Sequence, residues 1–410
     1  MKLLTIPNLN LSKKDTYILA CSYGPDSMAL FKMLLEQGYK FVVAHVNYHI
    51  LSQADEDEKG IKEYCLKHKI KFYSFSTYMP EGVNEEIWAR EVRYDYFAKL
   101  AKELNIKKVL VAHTLNDLIE TYLLQKDRGS EFLYYGIKEE SIIKGVMIIR
   151  PLLSFTKEQL LSFNKIEHVP YSIDPSNEDT KFKRNKFRKE LGELTEDKIS
   201  FYLNEINGKN LQNSIILNKY FTKTNKKSLI FDKDELTSLT QKNFHLLLLE
   251  LLKRNEIFKE ISLGLANEIL THLKNNKYFS YELSDGETLE VEYNEIYVFK
   301  KVKPYSFVLA IGASNFIFSF NKENVNYPKL INENETYEIK PVKESDLLIK
   351  DKKTYKVNRL FISWKVPHQL RKIWPGIYNK DNILIYVPRY QREVKEKNGL
   401  LIFDLNDLLN

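Results

Sequence analysis

The 410-residue chain has only two cysteines, Cys21 and Cys65, and no CxxC pair. That scarcity excludes a disulfide framework, a cysteine zinc site and a thiol-redox motif. Long apolar runs are missing too. No stretch approaches the roughly 18 apolar residues of a membrane span, and even His245-Leu246-Leu247-Leu248-Leu249 is broken by Glu250. Met1-Lys2-Leu3-Leu4-Thr5-Ile6-Pro7 carries no apolar stretch followed by a small-residue cleavage site, so a cytoplasmic protein without a membrane partner is expected. The Walker phosphate-loop pattern, GxxxxGK followed by Ser or Thr, occurs nowhere, which removes a kinase-like or GTPase-like loop. Charge of one sign is in mild excess only. The 62 basic against 55 acidic residues give a formal +7, compatible with a nucleic-acid partner and far from sufficient to show one.

What is present is a globular balance of 43% hydrophobic and 29% charged residues, with aromatics at 13%, enough for large cores and for stacking surfaces. The length implies two or three domains. In the first third, short apolar runs alternate with helical patterns. Strands are expected at Tyr17–Cys21, Phe41–Val46, Lys71–Phe75, Val109–Ala112 and Val146–Ile149, and helices over 27–37, 54–68, 84–104 and 115–126. That alternation predicts an α/β fold, a parallel sheet with helices on both faces, whose ligands sit at the carboxyl ends of the strands. Residues 207–228, rich in Asn, Lys and Thr and punctuated by Gly208, suit a surface connection. Residues 234–275 read as two helices, Asp285-Gly286 as a hairpin signal, and 303–410 as strands mixed with basic loops in a small mixed α/β domain. The expected division is 1–205 as the catalytic domain, 206–300 as a helical middle domain or linker, and 301–410 as a C-terminal domain.

Several segments bear chemistry. Ser22-Tyr23-Gly24-Pro25-Asp26-Ser27 lies between a buried strand and a helix start, where backbone N–H groups and the helix N-terminus converge on one point. That suits a phosphate or pyrophosphate; Ser22 and Ser27 add hydroxyls, and Asp26 can hold Mg²⁺ or cap the helix. Arg90 and Arg93 are three apart on one helix and share a face, as a cationic clamp or as a solvated stripe paired with Glu86 or Glu91. Asp117 and Glu120 stand three apart at the start of a helix near the ligand edge, where Asp117 is also well placed to interact with the helix dipole. His113 is either a ligand-facing group or a satisfied strand-end histidine. Lys181-Phe182-Lys183-Arg184-Asn185-Lys186-Phe187-Arg188-Lys189 has six basic residues among nine, interleaved with two phenylalanines; it is a phosphate-gripping, base-stacking segment or a solvated face.

Taken in order, these segments resemble the N-type ATP pyrophosphatases, and within them the tRNA(Ile)-lysidine synthases. The loop resembles S-G-G-x-D-S, and His45-Val46-Asn47-Tyr48 resembles H-V-N-H. Asn84 to Tyr94 looks like N-x-E-x-x-A-R-x-x-R-Y, and Ala112 to Thr121 is similar to A-H-H-x-D-D-x-x-E-T. Arg150-Pro151-Leu152-Leu153 matches R-P-L-L; Asp174-Pro175-Ser176-Asn177 with Arg184-Asn185-Lys186-Phe187-Arg188 resembles D-x-S-N followed by R-N-x-x-R. The region from Leu347 through Trp364-Lys365-Val366-Pro367 to Arg371 and Pro375 more loosely resembles that family's C-terminal, tRNA-binding-type domain.

The resemblance implies a ligase that uses ATP and Mg²⁺. The wobble cytidine of an isoleucine tRNA with a CAU anticodon is adenylated, and free lysine then displaces AMP to give lysidine. It implies nucleotide contacts from Ser22, Tyr23, Gly24, Pro25, Asp26, Ser27, Arg90 and His113, with the metal on Asp26. Asp26, Arg93, Asp117 and Glu120 take the catalytic roles, Asp117 and Glu120 contacting the lysine. Asp174, Asn177, Lys183, Arg184, Asn185 and Arg188 face tRNA. The sequence departs from the pattern at Tyr23, where a glycine would let backbone approach phosphate, at Asn116 in place of an acid, and at Tyr48 and Leu51 in place of His and Arg. Two rivals stand beside this reading: a tRNA thiolation enzyme, disfavoured by the missing CxxC, and a catalytically dead tRNA-binding scaffold. The sequence leaves the oligomeric state open, a homodimer included.

Overall fold

In the computed structural model the described residues are 4–6, 11–50, 53–173, 187, 191–221, 228–257, 259–284, 286–302, 304–310, 314–315, 317–320, 335–350, 353–390 and 400–403. The chain divides into two compact units, Met1–Asn213 and Ser214–Asn410.

The first unit runs β1 (Thr16–Ala20), α1 (Pro25–Glu36), β2 (Lys40–Asn47), α2 (Ala54–Lys67), β3 (Phe72–Ser76), α3 (Glu85–Glu103), β4 (Lys108–Leu110), α4 (Leu115–Asp127), β5 (Glu140–Ile143), β6 (Val146–Ile149) and α5 (Lys157–Ile166). The six strands form one sheet in the order β3-β2-β1-β4-β6-β5. All neighbours are parallel except β5, which pairs antiparallel with β6 at the edge. The inner strands β1, β2, β4 and β6 are largely apolar runs because both faces are covered, whereas the edge strands β3 and β5 are partly exposed. Leu19, Phe41 and Val43 pack with α1, α2 and α5, while Ile18, Val42 and Ala44 pack with α3. Helix starts follow capping chemistry. Asn84 accepts from Ile87 N at the head of α3, and Thr114/Asp117 and Thr156/Gln159 form capping boxes at the heads of α4 and α5. The edge strand β5 was not expected from sequence: it is four residues long and Ile142 is exposed, so it has no apolar period to betray it.

The expected surface connection over 207–228 is corrected. Residues through Phe221 belong to a 26-residue helix, α6 (Glu196–Phe221). The polar composition misled because part of it is structural. Asn210 exchanges hydrogen bonds with both backbone groups of Tyr135 (2.8 and 3.1 Å), and Asn213 donates to the Phe132 carbonyl at 2.7 Å. Gly208 has nothing near its Cα face and is merely tolerated.

The second unit holds β7 (Ser228–Ile230), α7 (Lys233–Ser238), α8 (Gln241–Arg254), α9 (Leu263–Lys274), β8 (Phe279–Ser284), β9 (Glu287–Glu292) and β10 (Glu295–Lys300). Its four strands so far make an antiparallel sheet, β7-β10-β9-β8, with the apolar faces of α8 and α9 on its core. The middle region thus has three helices where two were expected, and adds a sheet to them. The rest of the unit is strand-rich: β11 (Phe307–Ala310), β13 (Thr336–Pro341), β16 (Pro375–Tyr378) and β17 (Leu384–Tyr386) form a second four-stranded sheet, numbered with β12 (Ser319–Phe320), β14 (Leu347–Lys350), β15 (Lys353–Lys356) and β18 (Leu401–Ile402), and with helices α10 (Val357–Ser363) and α11 (His368–Arg371). Among the described residues, no helix is long and apolar enough to cross a membrane.

Candidate active site

The strand order reverses at β1. The chain proceeds from β1 to β2 and β3 on one side and returns to β4 on the other, so a crevice opens outside the carboxyl ends of β1 and β4. Two sequence-predicted segments flank it: the Ser22–Ser27 loop after β1, and His113 to Glu120 after β4.

The loop is braced by its own hydroxyls. Ser22 N donates to Ser27 Oγ at 3.2 Å, and Ser27 Oγ donates to the Gly24 carbonyl at 3.0 Å. Neither Asp26 nor Ser27 caps α1. The cap position is Gly24, which makes no side-chain cap bond, and Pro25 follows at the first helical position. Gly24 thus offers no capping side chain to the head of α1, an arrangement in which a helix head can take an anion. Tyr23 keeps the conformation a glycine would have: its φ is +64°. Its ring is laid against α2 at Gly60, where a Cβ would fall 2.5 Å from the ring.

Two imidazoles, the buried His45 and the half-buried His113, lie on either side of β1. His45, at the end of β2, is 6% exposed, and its Nδ1 stands 2.9 Å from the Cys21 carbonyl. A carbonyl only accepts, so Nδ1 carries the proton; burial pulls the ring below its usual pKa and keeps it neutral. His113 has the opposite arrangement. Its Nδ1 lies 3.3 Å from Nε of Arg150, a donor-only group. Arg150 is 5% exposed and also donates to the Lys138 carbonyl (2.7 Å) and Ser141 Oγ (3.0 Å).

At the head of α4, Asp117 and Glu120 are buried. Asp117 Oδ2 accepts from Thr114 N and Oγ1, both at 2.9 Å, so this carboxylate does serve as a first-turn cap. Its other oxygen lies 3.4 Å from the Lys157 ammonium. Asn116 Oδ1 accepts from Lys157 N at 2.9 Å, which gives the amide at this departure position a helix-start role on α5. On α3, Arg93 Nε donates to Tyr48 Oη at 3.3 Å, and Tyr48 Oη donates to the Ala89 carbonyl at 2.9 Å, so tyrosine at the departure position orients the arginine. Arg90 lies over the Tyr94 ring, 5.0 Å from its centroid. Asp174, Asn177, Lys183, Arg184, Asn185 and Arg188 lie outside the described residues.

Sequence reasoning missed Arg150, Tyr94 and Lys157. The first two were inside quoted motifs, R-P-L-L and the α3 helix, but nothing in spacing alone says that they meet. It also missed a hydrogen-bonded string at the ends of β2 and β3. Asn47 Nδ2 donates to Asp55 and Glu58, Asp55 holds His49 Nδ1 at 3.0 Å, and His49 Nε2 meets Ser76 Oγ at 2.5 Å.

Residues 2–195 match the PP-loop domain family, and the mostly parallel sheet with a helix head at its switch point accords with that class of ATP-using protein. Over most of its length the chain is similar to the tRNA(Ile)-lysidine synthase of Mesoplasma florum, at 30% identity over 385 residues, covering 89% of this chain and 95% of that one. It is likewise similar to the tRNA(Ile)-lysidine synthase of Mycoplasma mycoides subsp. mycoides, at 31% identity over 406 residues, covering 93% and 98%. The chain belongs to the tRNA(Ile)-lysidine synthase family. Among solved structures, the U34-tRNA thiolase of Methanococcus maripaludis aligns at 14% identity and TM-score 0.42, covering 51% of this chain and 75% of that one, a likeness on which nothing below rests.

Proposed function

We propose that the chain ligates lysine to C2 of the wobble cytidine of isoleucine tRNA with a CAU anticodon, using ATP and forming AMP and pyrophosphate. In the first step O2 of the cytidine attacks the α-phosphorus of ATP, and the bond to pyrophosphate breaks. In the second the ε-amine of lysine attacks C2, AMP leaves with the electron pair of the C2–O bond, and the amine gives up a proton.

The observation that carries this reading is the convergence, at one switch point, of the uncapped head of α1 with the buried carboxylates Asp117 and Glu120. The loop hydroxyls and first-turn amides of α1 suit the phosphates on which charge develops. The residues also fit Mg²⁺. Asp26 offers a carboxylate in the first turn of α1, with the Ser22 and Ser27 hydroxyls 3.4 Å apart beside it. Among the described residues no group of three or more His, Cys, Asp or Glu could hold an ion, which leaves phosphate and water oxygens to complete its shell. Bound there, Mg²⁺ supplies neutralisation of phosphate charge.

Asp117 and Glu120 take the substrate ammonium and lower the barrier to its deprotonation. The Lys157 ammonium, 3.4 Å from Asp117, is an amine cation on the same carboxylate, so the substrate ammonium must share that oxygen or displace it. Arg93, oriented by Tyr48, acts as the cationic clamp. The segment from Asp174 to Arg188 and the C-terminal residues from about 301 onward grip the tRNA. Thiolation is disfavoured by the fate of both thiols: Cys21 and Cys65 are buried in the core, and burial pushes the Cys65 thiol up to about 12.

The test is pyrophosphate release from Mg-ATP in the presence of the CAU isoleucine tRNA. Release that stops when the wobble C is replaced supports adenylation of that base. Release indifferent to the base, or absent, removes the reading, and absence with intact tRNA binding favours the dead scaffold.

A further inference from the structure

Three motif segments that are distant in sequence meet around one buried cation. Arg150, at the end of β6, is enclosed by the Lys138 carbonyl, Ser141 Oγ, the Tyr94 hydroxyl from α3 and His113 Nδ1 from the segment after β4. Arg90 covers the outer face of the Tyr94 ring. Burial lowers the Arg150 pKa from its ordinary value, yet a guanidinium stays protonated throughout the physiological range.

A protonated guanidinium can only donate. The 3.3 Å bond to His113 Nδ1 therefore requires a lone pair on that nitrogen, and the ring proton must sit on Nε2. A doubly protonated ring would set N–H against N–H in a site already holding one buried cation. Asp117 is turned to Thr114 and to Lys157, and Arg90 adds a second positive charge behind Tyr94.

We propose that Arg150 is a positioning residue for the adenylation step, which holds His113 as a neutral imidazole with its proton on Nε2 and so presents a fixed hydrogen-bond donor at the switch point. The proposal rests on the reading of His113 as a group that approaches the nucleotide. It accounts for R-P-L-L, the α3 tyrosine and the histidine after β4 as one device. The ring across β1, His45, is held the opposite way round, its proton on Nδ1.

The experiment uses the full chain with ¹⁵N-labelled histidine and long-range proton–nitrogen spectra. His113 is assigned, among the eight histidines, by comparison with His113→Gln. His113 in the parent is expected to carry its proton on Nε2, with Nδ1 giving the signal of an accepting nitrogen. In Arg150→Met the preference for that tautomer should be lost, and Arg150→Lys, which keeps a donor, should restore it.

Kinetics separate positioning from plain structural support. Arg150→Met should lower kcat for tRNA-dependent pyrophosphate release about tenfold or more in the parent, and should lower it no further in the His113→Gln background. A parent ring protonated on Nδ1 overturns the proposal. So does an equal kcat loss in both backgrounds. If Arg150→Met does not fold, the parent spectrum and Arg150→Lys decide. A parent that releases no pyrophosphate defeats the functional reading instead, and leaves the tautomer to be judged by its own spectrum.

Discussion

Tyr23 and Gly60 should behave as a coupled pair. Tyr23 holds a left-handed backbone (φ +64°), which disfavours a side chain by roughly 1–2 kcal/mol. Its place is secured by the ring lying on the Gly60 face of α2 and by its carbonyl accepting from Ser172 N at 3.0 Å. An alanine Cβ at 60 would stand 2.5 Å from ring Cζ and 2.7 Å from Cε1 and Oη. Carbon contacts settle at about 3.5–4.0 Å, so the ring must move by about an ångström or more.

Overpacking of that kind costs about 1–3 kcal/mol, while replacing a mid-helix glycine by alanine contributes about 0.5–1 kcal/mol in the other direction. Gly60→Ala alone should therefore destabilise the first unit by about 1 kcal/mol. In a Tyr23→Gly background the same change should stabilise it by about 0.5–1 kcal/mol. Urea unfolding of the four proteins measures the coupling directly, and the KM for ATP should rise in the Gly60→Ala single variant because the loop is carried by Tyr23. An effect of Gly60→Ala that is the same in both backgrounds, within about 0.5 kcal/mol, would refute the packing argument.

Other outcomes follow from the site and from the sequence. Asp117→Asn should abolish lysine incorporation while leaving tRNA binding nearly intact; incorporation equal to the parent's would remove its assignment to the lysine. Replacing Lys183, Arg184 and Lys186 together by alanine should weaken tRNA binding and flatten its salt dependence, whereas unchanged binding would return that segment to a solvated face. His45 is held neutral in the fold, so below its unfolded pKa of about 6.5 the unfolded chain takes up a proton that the native chain refuses. Stability should be fully present above that pH and decline as the pH falls below it, less steeply in His45→Gln. Parallel declines for parent and variant would count against a buried neutral ring.

The first unit was largely legible because its signals are local. Buried parallel strands such as Tyr17–Leu19 and Phe41–Val46 are continuous apolar runs, and Asn84 and Thr114 head helices that were expected, whereas α5, headed by Thr156, was not. Composition failed where polar residues serve structure from within an element. Asn210 and Asn213 bind backbone near Tyr135, so a tract that reads as a loop is a helix. The loop after β1 and the acids of α4 could be picked out from spacing and type. The partners that orient these groups could not, because they come from elsewhere in the sheet: Arg150 for His113, Tyr48 for Arg93, Lys157 for Asp117. Departures from a motif were likewise readable as departures only. It takes the backbone at Tyr23 and the bare face of Gly60 to see how one was accommodated.

The central claim is tested most directly by incubating the protein with a CAU-anticodon isoleucine tRNA transcript, Mg-ATP and labelled free lysine, and counting label in the precipitated tRNA. Label that requires ATP and disappears when the wobble C is changed is the expected result. Pyrophosphate release with no label would keep the adenylating site and contradict lysine as the nucleophile, and neither signal would contradict the enzyme altogether.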